Sequence, residues 1–116
     1  MGETYASVKL SGPSGQKRIR LLVDTGSTYT WIRASSLEEL GIRPLGEDSF
    51  DIENVEVRRP IGEAIVEYEG TARTTIVVFG RGGDSQALGM YALEGLALEV
   101  DARNHRLRKR ATLLAY

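Results

Sequence analysis

The sequence predicts a mainly β domain carrying one or two short helices. Three observations carry that prediction. Apolar and polar residues alternate with a period of two along several short segments, the signature of half-buried strands. Clusters of Gly, Pro and Ser punctuate those segments, as turns require. Only two stretches carry the start and stop chemistry of a helix. At 116 residues the chain is one domain's worth and too short for two, so residues 1–116 are expected to form a single domain.

The elements follow in order. Tyr5, Ser7 and Lys9 alternate with Ala6, Val8 and Leu10 as a first strand, closed by the turn cluster 11–15. Residues 17–23 form a second strand whose apolar character rises toward Leu21-Leu22-Val23, which runs into the polar loop Asp24-Thr25-Gly26-Ser27. Residues 29–32 are extended again. Residues 35–41 read as a short helix, with a Ser to cap its start, acids in its first turn and Gly41 at its end. Residues 44–51 read as loop. Strands are expected near 52–58, 63–69 and 73–79, with turns at Pro60-Ile61-Gly62 and Glu69-Gly70-Thr71. Residues 80–85 read as a flexible loop and 90–94 as one or two helical turns stopped by Gly95. Residues 96–100 and 106–116 read as the last strands.

Composition narrows the function classes. Hydrophobic residues make up 41% and charged residues 27%, an ordinary globular balance. Fifteen Lys and Arg against 16 Asp and Glu give a net charge of −1, which argues against a nucleic-acid or membrane-surface binder. Arg106-Leu107-Arg108-Lys109-Arg110 is the one basic cluster, and it reads as a solvated strand face. There is no Cys, which removes disulfides and thiol chemistry, and a single His, His105, cannot build a zinc site. No metal or cofactor is expected. Residues 80–83 are glycine-rich but lack the Gly-Lys-Ser/Thr of a phosphate loop. No apolar run approaches a membrane span and no leader is visible, so the expected compartment is the cytoplasm.

The stretch that carries chemistry is Leu21-Leu22-Val23-Asp24-Thr25-Gly26-Ser27, followed by Thr28-Tyr29-Thr30-Trp31-Ile32. An apolar strand delivers a carboxylate into a tight turn, and the chain leaves as another strand. Gly26 lets the backbone approach closely or take positive φ, and Thr25 and Ser27 bring hydroxyls. An acid at the mouth of an apolar strand has its charge state set by its neighbours. The plain alternative is a capped β-turn with Asp24 as its satisfied acceptor.

This segment resembles the active-site motif of the aspartic proteases, apolar-apolar-Asp-Thr-Gly-Ser/Thr. Downstream, Ala87-Leu88-Gly89 before the helical 90–94 is similar to the apolar-apolar-Gly and short helix of the retropepsin-like fold. Together the two matches resemble a single-lobe retropepsin-like protease. The resemblance implies a closed, barrel-like β lobe with a flap hairpin and one or two short helices. It also implies roles: Asp24 as the catalytic aspartate, Thr25 bonding between the two active-site loops of a dimer, Gly26 donating its N–H to the carboxylate, and Ser27 bonding the outer carboxylate oxygen. Trp31 stands where pepsin-like N-terminal lobes carry a tryptophan behind the flap. The flap would be the hairpin 53–69, with Pro60, Ile61 and Gly62 at a substrate-facing tip. Leu88 and Gly89 would pack beneath the active site.

Aspartic proteases are known to work with two carboxyls about 3 Å apart that share one proton. This chain has one Asp-Thr-Gly, and Asp48, Asp51, Asp84 and Asp101 lack the motif. An isologous dimer resolves the deficit by placing Asp24 and its copy on a two-fold axis. The expectation is a homodimeric aspartic endopeptidase acting on extended or unfolded polypeptide, its partners being itself and its substrate. Residues 111–116 are apolar and suit either an intersubunit strand or an edge strand on the chain's own core. The competing expectation is a catalytically silent dimeric module that binds peptides in the same cleft. A phosphate-handling loop of the sugar-kinase and actin type would need a far longer chain and more acidic metal ligands.

Overall fold

A computed structural model describes residues 2–115. Nine strands and two short helices follow one another among them: β1 (Tyr5–Gly12), β2 (Gly15–Val23), β3 (Thr30–Arg33), α1 (Ala34–Glu39), β4 (Gly46–Ile52), β5 (Val55–Tyr68), β6 (Thr71–Gly80), β7 (Ala87–Leu88), α2 (Met90–Gly95), β8 (Leu98–Asp101) and β9 (Arg106–Lys109). The expected mainly β class is therefore observed.

Seven strands form one sheet in the order β1-β2-β7-β3-β6-β5-β4, and β1 also pairs with β5. That extra pairing curls the sheet into a closed ring and leaves β4 projecting with the first half of β5. The alternation in β1 falls as expected, with Ala6, Val8 and Leu10 buried between exposed or half-buried neighbours. Val77, Val78 and Phe79 of β6 are buried in succession, because β6 lies between β3 and β5. One core cluster gathers Val77 and Phe79 with Leu21, Ile32, Leu37, Leu88 and Leu93.

The hairpins turn where two residues suffice. Tyr68 pairs with Thr71 around Glu69 and Gly70, whose φ values of 45° and 86° match the right-handed twist of the flanking strands. At the end of α1 the Gly41 N–H bonds the Glu38 carbonyl, the Ile42 N–H bonds the Leu37 carbonyl, and Gly41 takes φ 74°. The expected glycine stop is thus present. The expected helix start is not: Arg33 is the N-cap residue with no side-chain cap bond, and no acid lies in the first turn.

The largest departure concerns the projecting hairpin. Residues 44–51, expected as loop, contain most of β4, and the turn expected at Pro60-Ile61-Gly62 does not exist. Those residues lie within the 14-residue β5, where Glu47 pairs with Pro60 and Gly46 with Ile61. Pro60 is tolerated because β6 joins β5 only from Ile61, so the strand has a neighbour on one side there. Gly62 is small for packing: a Cβ would lie 2.9 Å from the Arg43 carbonyl oxygen and 3.1 Å from the Phe79 ring. The hairpin turns instead at Glu53 and Asn54, with φ 49° and 69°, and the Asn54 N–H bonds Asp51 Oδ1 at 2.8 Å.

Two further segments differ from expectation. The loop 81–86 is tied down: Arg59 forms a two-point ion pair with Asp84, whose Oδ2 also accepts the Arg81 N–H. The last strand ends at Lys109, because the final backbone bond to a neighbouring segment runs from the Arg110 N–H to the Ala97 carbonyl. Residues 111–115 form no strand in the lone protomer, and Leu113 and Leu114 are 59% and 76% exposed. Tyr116 lies outside the described residues. Arg106, Arg108 and Arg110 pair with Asp101, Glu99 and Glu94, so the basic cluster is an ion-paired face.

Candidate active site

Asp24 sits where β2 leaves the sheet. Its N–H donates to the Leu88 carbonyl at 3.0 Å, and Val23 and Leu88 are register partners in the parallel pair β2–β7. Two segments more than sixty residues apart in sequence thus meet directly beneath the carboxylate. The turn closes through the Ser27 N–H and the Asp24 carbonyl at 3.1 Å. The Gly26 N–H donates to Asp24 Oδ1 at 2.9 Å. Glycine suits this position because a Cβ would stand 3.2 Å from that oxygen. Close approach, not positive φ, is the reason, since Gly26 is not among the residues with positive φ.

Ser27 does not make the bond expected of it. Its hydroxyl donates to the Tyr29 carbonyl at 2.8 Å. The turn itself presents that carbonyl, so the hydroxyl is satisfied locally rather than on the carboxylate. The Ser27 carbonyl accepts the Met90 N–H at 2.7 Å, and the Thr28 carbonyl accepts the Tyr91 N–H at 3.0 Å. The first N–H groups of α2, which have no partner within the helix, are therefore satisfied by the aspartate loop. Thr25 is exposed at the tip of that loop.

Gly89 is the tightest position. A Cβ there would lie 2.2 Å from the Tyr29 carbonyl oxygen and 2.8 Å from that of Ser27. Its N–H donates to Thr30 Oγ1 at 3.0 Å, and Thr30 is fully buried. Sequence reasoning missed Thr30. The available signal was its period-two relation to Ile32, which puts a hydroxyl on the buried side of β3.

A cleft of about 740 Å³ opens beside Asp24, with Trp31, Phe50, Ile52 and Ala87 among its walls and residues 83–85 along one rim. Phe50 of β4 meets Trp31 edge-on at 5.1 Å between ring centroids and Tyr29 at 6.1 Å. Trp31 thus lies behind the projecting hairpin, which is the flap by position. Phe50 escaped the sequence reading because its segment read as loop. Pro60 and Gly62 are away from the cleft: Pro60 borders a separate hollow with Ile42 and Phe79, and Gly62 packs against Arg43 and Phe79. On the other side of the aspartate loop, a groove of about 670 Å³ is bordered by Thr25, Thr28, Arg73, Met90 and Tyr91.

The charged group with a shifted pKa at the cleft is Asp84. The bond from Arg59, aided by the Arg81 N–H, holds its carboxyl below the usual carboxylate range, and the same bond raises Arg59. Among the described residues no group of three or more His, Asp or Glu is arranged to hold a metal ion. No helix among them is long and apolar enough to cross a membrane.

A small closed β lobe that seats an Asp-Thr-Gly loop on an apolar-apolar-Gly strand, beneath a flap, has the architecture of a retropepsin-like aspartic protease lobe. The family described as aspartyl protease matches residues 6–63, half of the chain, and the chain belongs to that retropepsin-like family. The matched segment contains Asp24, Trp31 and the flap. No curated protein matches the chain.

Proposed function

We propose that this protein is an aspartic endopeptidase whose active site forms from two copies of residues 1–116. Asp24 of each protomer would meet on the two-fold axis, about 3 Å from its copy, with one proton shared between them. One carboxylate takes a proton from a water as it attacks the peptide carbonyl, and the other donates to the carbonyl oxygen. Thr25 would bond across the axis to the facing loop. Substrate lies extended between the flap and the aspartate loop, held by main-chain hydrogen bonds.

The observation that carries this reading is the presentation of Asp24. The residue is exposed with its loop, yet that loop is held from behind by β7 and α2 through backbone bonds. A turn residue needs no such bracing, whereas two carboxyls that must meet closely do. The nearby apolar groups Met90 and Tyr91, 39% and 50% exposed, supply surface for a second copy to cover. The proposed compartment is the cytoplasm.

The test compares wild type with Asp24→Asn on an unfolded protein between about pH 3 and pH 8, with sedimentation to read the assembly. Cleavage by wild type alone, at acidic to mildly acidic pH and from a dimer, is the expected result. Equal cleavage by both proteins places the activity elsewhere. No cleavage by either, with the dimer intact, leaves a peptide-binding module. A monomer at micromolar concentration removes the dyad.

A further inference from the structure

The aspartate loop is the wall between two hollows. Gly26, Ser27 and Thr28 border both the cleft and the groove beside α2. The next residue, Tyr29, touches an aromatic ring on each side of that wall. It meets Phe50 of the flap edge-on at 6.1 Å and 75°, and Tyr91 of α2 edge-on at 6.1 Å and 70°. Phe50 in turn meets Trp31 at 5.1 Å. Four rings thus run in a row from the surface of α2 to the wall of the cleft: Tyr91, Tyr29, Phe50 and Trp31.

Tyr29 itself is held firmly. Its carbonyl accepts the Ser27 hydroxyl at 2.8 Å and lies against Gly89, and Thr30 after it is buried in β3. The two rings it touches are held less. Phe50 rides on a hairpin with no further strand beside it, because β4 is the outer strand of the sheet and β5 gains β6 only from Ile61. A two-stranded hairpin alone is marginal in water, so what Phe50 touches helps to decide where the flap lies. The Arg59–Asp84 ion pair is a second tie, but it sits nearer the base, since Arg59 pairs with Asp48 in register. Tyr91 keeps its N–H on the Thr28 carbonyl, while its ring is half exposed. As plain packing, a row of rings belongs in the core. None of these four is part of the core cluster, and the row begins on the surface.

We infer that Tyr29 is a positioning residue that links assembly to the flap. A second copy covering Tyr91 orders the ring on which Tyr29 rests, and Tyr29 then holds Phe50 down on Trp31 over the cleft. The inference rests on the homodimer proposed above and adds the route by which that dimer controls access to the cleft. Tyr91 loses its rotamers once, on assembly, so Tyr29 and Phe50 pack against a ring already ordered. By linkage, seating Phe50 favours assembly to the extent that assembly favours seating. An edge-on aromatic pair shifts an equilibrium by about two- to tenfold, which sets the size of the effect.

Sedimentation first sets two concentrations of the full chain, one dimeric and one monomeric. Hydrogen exchange at neutral pH then reads the flap amides, 47–59, with those of β1 and β6 as controls. The flap of the wild-type dimer is expected to exchange about fivefold more slowly than that of the monomer. Tyr29→Phe keeps the ring and keeps the difference. Tyr29→Leu removes the difference while β1 and β6 stay protected. Phe50→Ala weakens the dimer about fivefold, which is the reciprocal effect. Equal flap exchange in dimer and monomer overturns the inference and leaves the homodimer standing. So does a difference that survives Tyr29→Leu, which means direct cover by the second copy, or one that is lost in Tyr29→Phe. A Phe50→Ala dimer as tight as wild type overturns it too, and decides alone if Tyr29→Leu fails to fold. A chain monomeric at every concentration refutes the homodimer and the inference with it. Cleavage is assayed separately: a dimer with the linked flap but no activity refutes the protease reading alone.

Discussion

The ion pair between Arg59 and Asp84 is the point where the flap strand grips the wall of the cleft. Asp84→Asn tests it. The two side chains are 11% and 12% exposed, and their bonds are 2.8 and 3.2 Å, with a third at 2.7 Å from the Arg81 N–H to Asp84 Oδ2. An asparagine retains one carbonyl oxygen, so part of this bonding survives and the paired charge is lost. Hydrogen bonds to charged groups contribute about 1.5–3 kcal/mol, and the stranded guanidinium adds its own desolvation cost. The expected loss is therefore about 2–3 kcal/mol. Urea unfolding at fixed protein concentration measures it. Arg59→Met is expected to cost a similar amount, and the double variant less than the sum, because both substitutions remove one interaction.

The pH dependence follows from the direction of the shift. The Asp84 carboxyl sits below its usual range in the folded protein, so the folded state binds fewer protons than the unfolded chain. Its stabilisation is complete above the unfolded value of about 3.9 and fades as pH falls through the lower folded value. Arg59 is raised, and its contribution is lost only in strong alkali. The gap between wild type and Asp84→Asn must then be constant from about pH 6 to 8 and narrow below about pH 4. A variant as stable as wild type at neutral pH, or a gap unchanged at about pH 2.5, would refute the assignment.

Two further outcomes test the seat of the aspartate loop and the flap. Gly89→Ala forces a methyl group into the Tyr29 carbonyl, and with no flexible side chain to give way the expected cost exceeds about 3 kcal/mol; near-native thermal stability would show that β7 can move. Phe50→Ala removes the ring that covers Trp31, the one tryptophan of the chain, and its emission is expected to shift to the red while the far-ultraviolet circular dichroism stays native. An unshifted emission would mean that other groups shield the indole.

Much of the lobe was legible because its signals are local. Alternation marked β1, Gly41 marked the end of α1, and Asp24-Thr25-Gly26 marked the turn of the candidate site. The flap was misread for an equally local reason: Pro60 and Gly62 look like a turn, whereas Glu53 and Asn54 do not. A proline is harmless where one edge of a strand is open, and a glycine can serve packing as well as bending. Which edge is open depends on where β6 begins to pair, and no window around residue 60 contains that information.

The sequence by itself determined the candidate group: one carboxylate, in a glycine turn, at the end of an apolar strand, in a chain without a thiol. Tertiary structure decided what surrounds it. It set Leu88 and Gly89 beneath Asp24, turned the Ser27 hydroxyl to Tyr29, buried Thr30 as a partner for Gly89, and brought Phe50 against Trp31. The contacts of Asp24, Leu88, Gly89 and Thr30 lie where β2, β7 and β3 pair in the closed sheet, the Ser27 bond closes within a turn, and Phe50 reaches Trp31 from the projecting hairpin. Local preference can specify a turn, but contacts between distant segments exist only once the ring closes and every buried N–H and hydroxyl must find a partner.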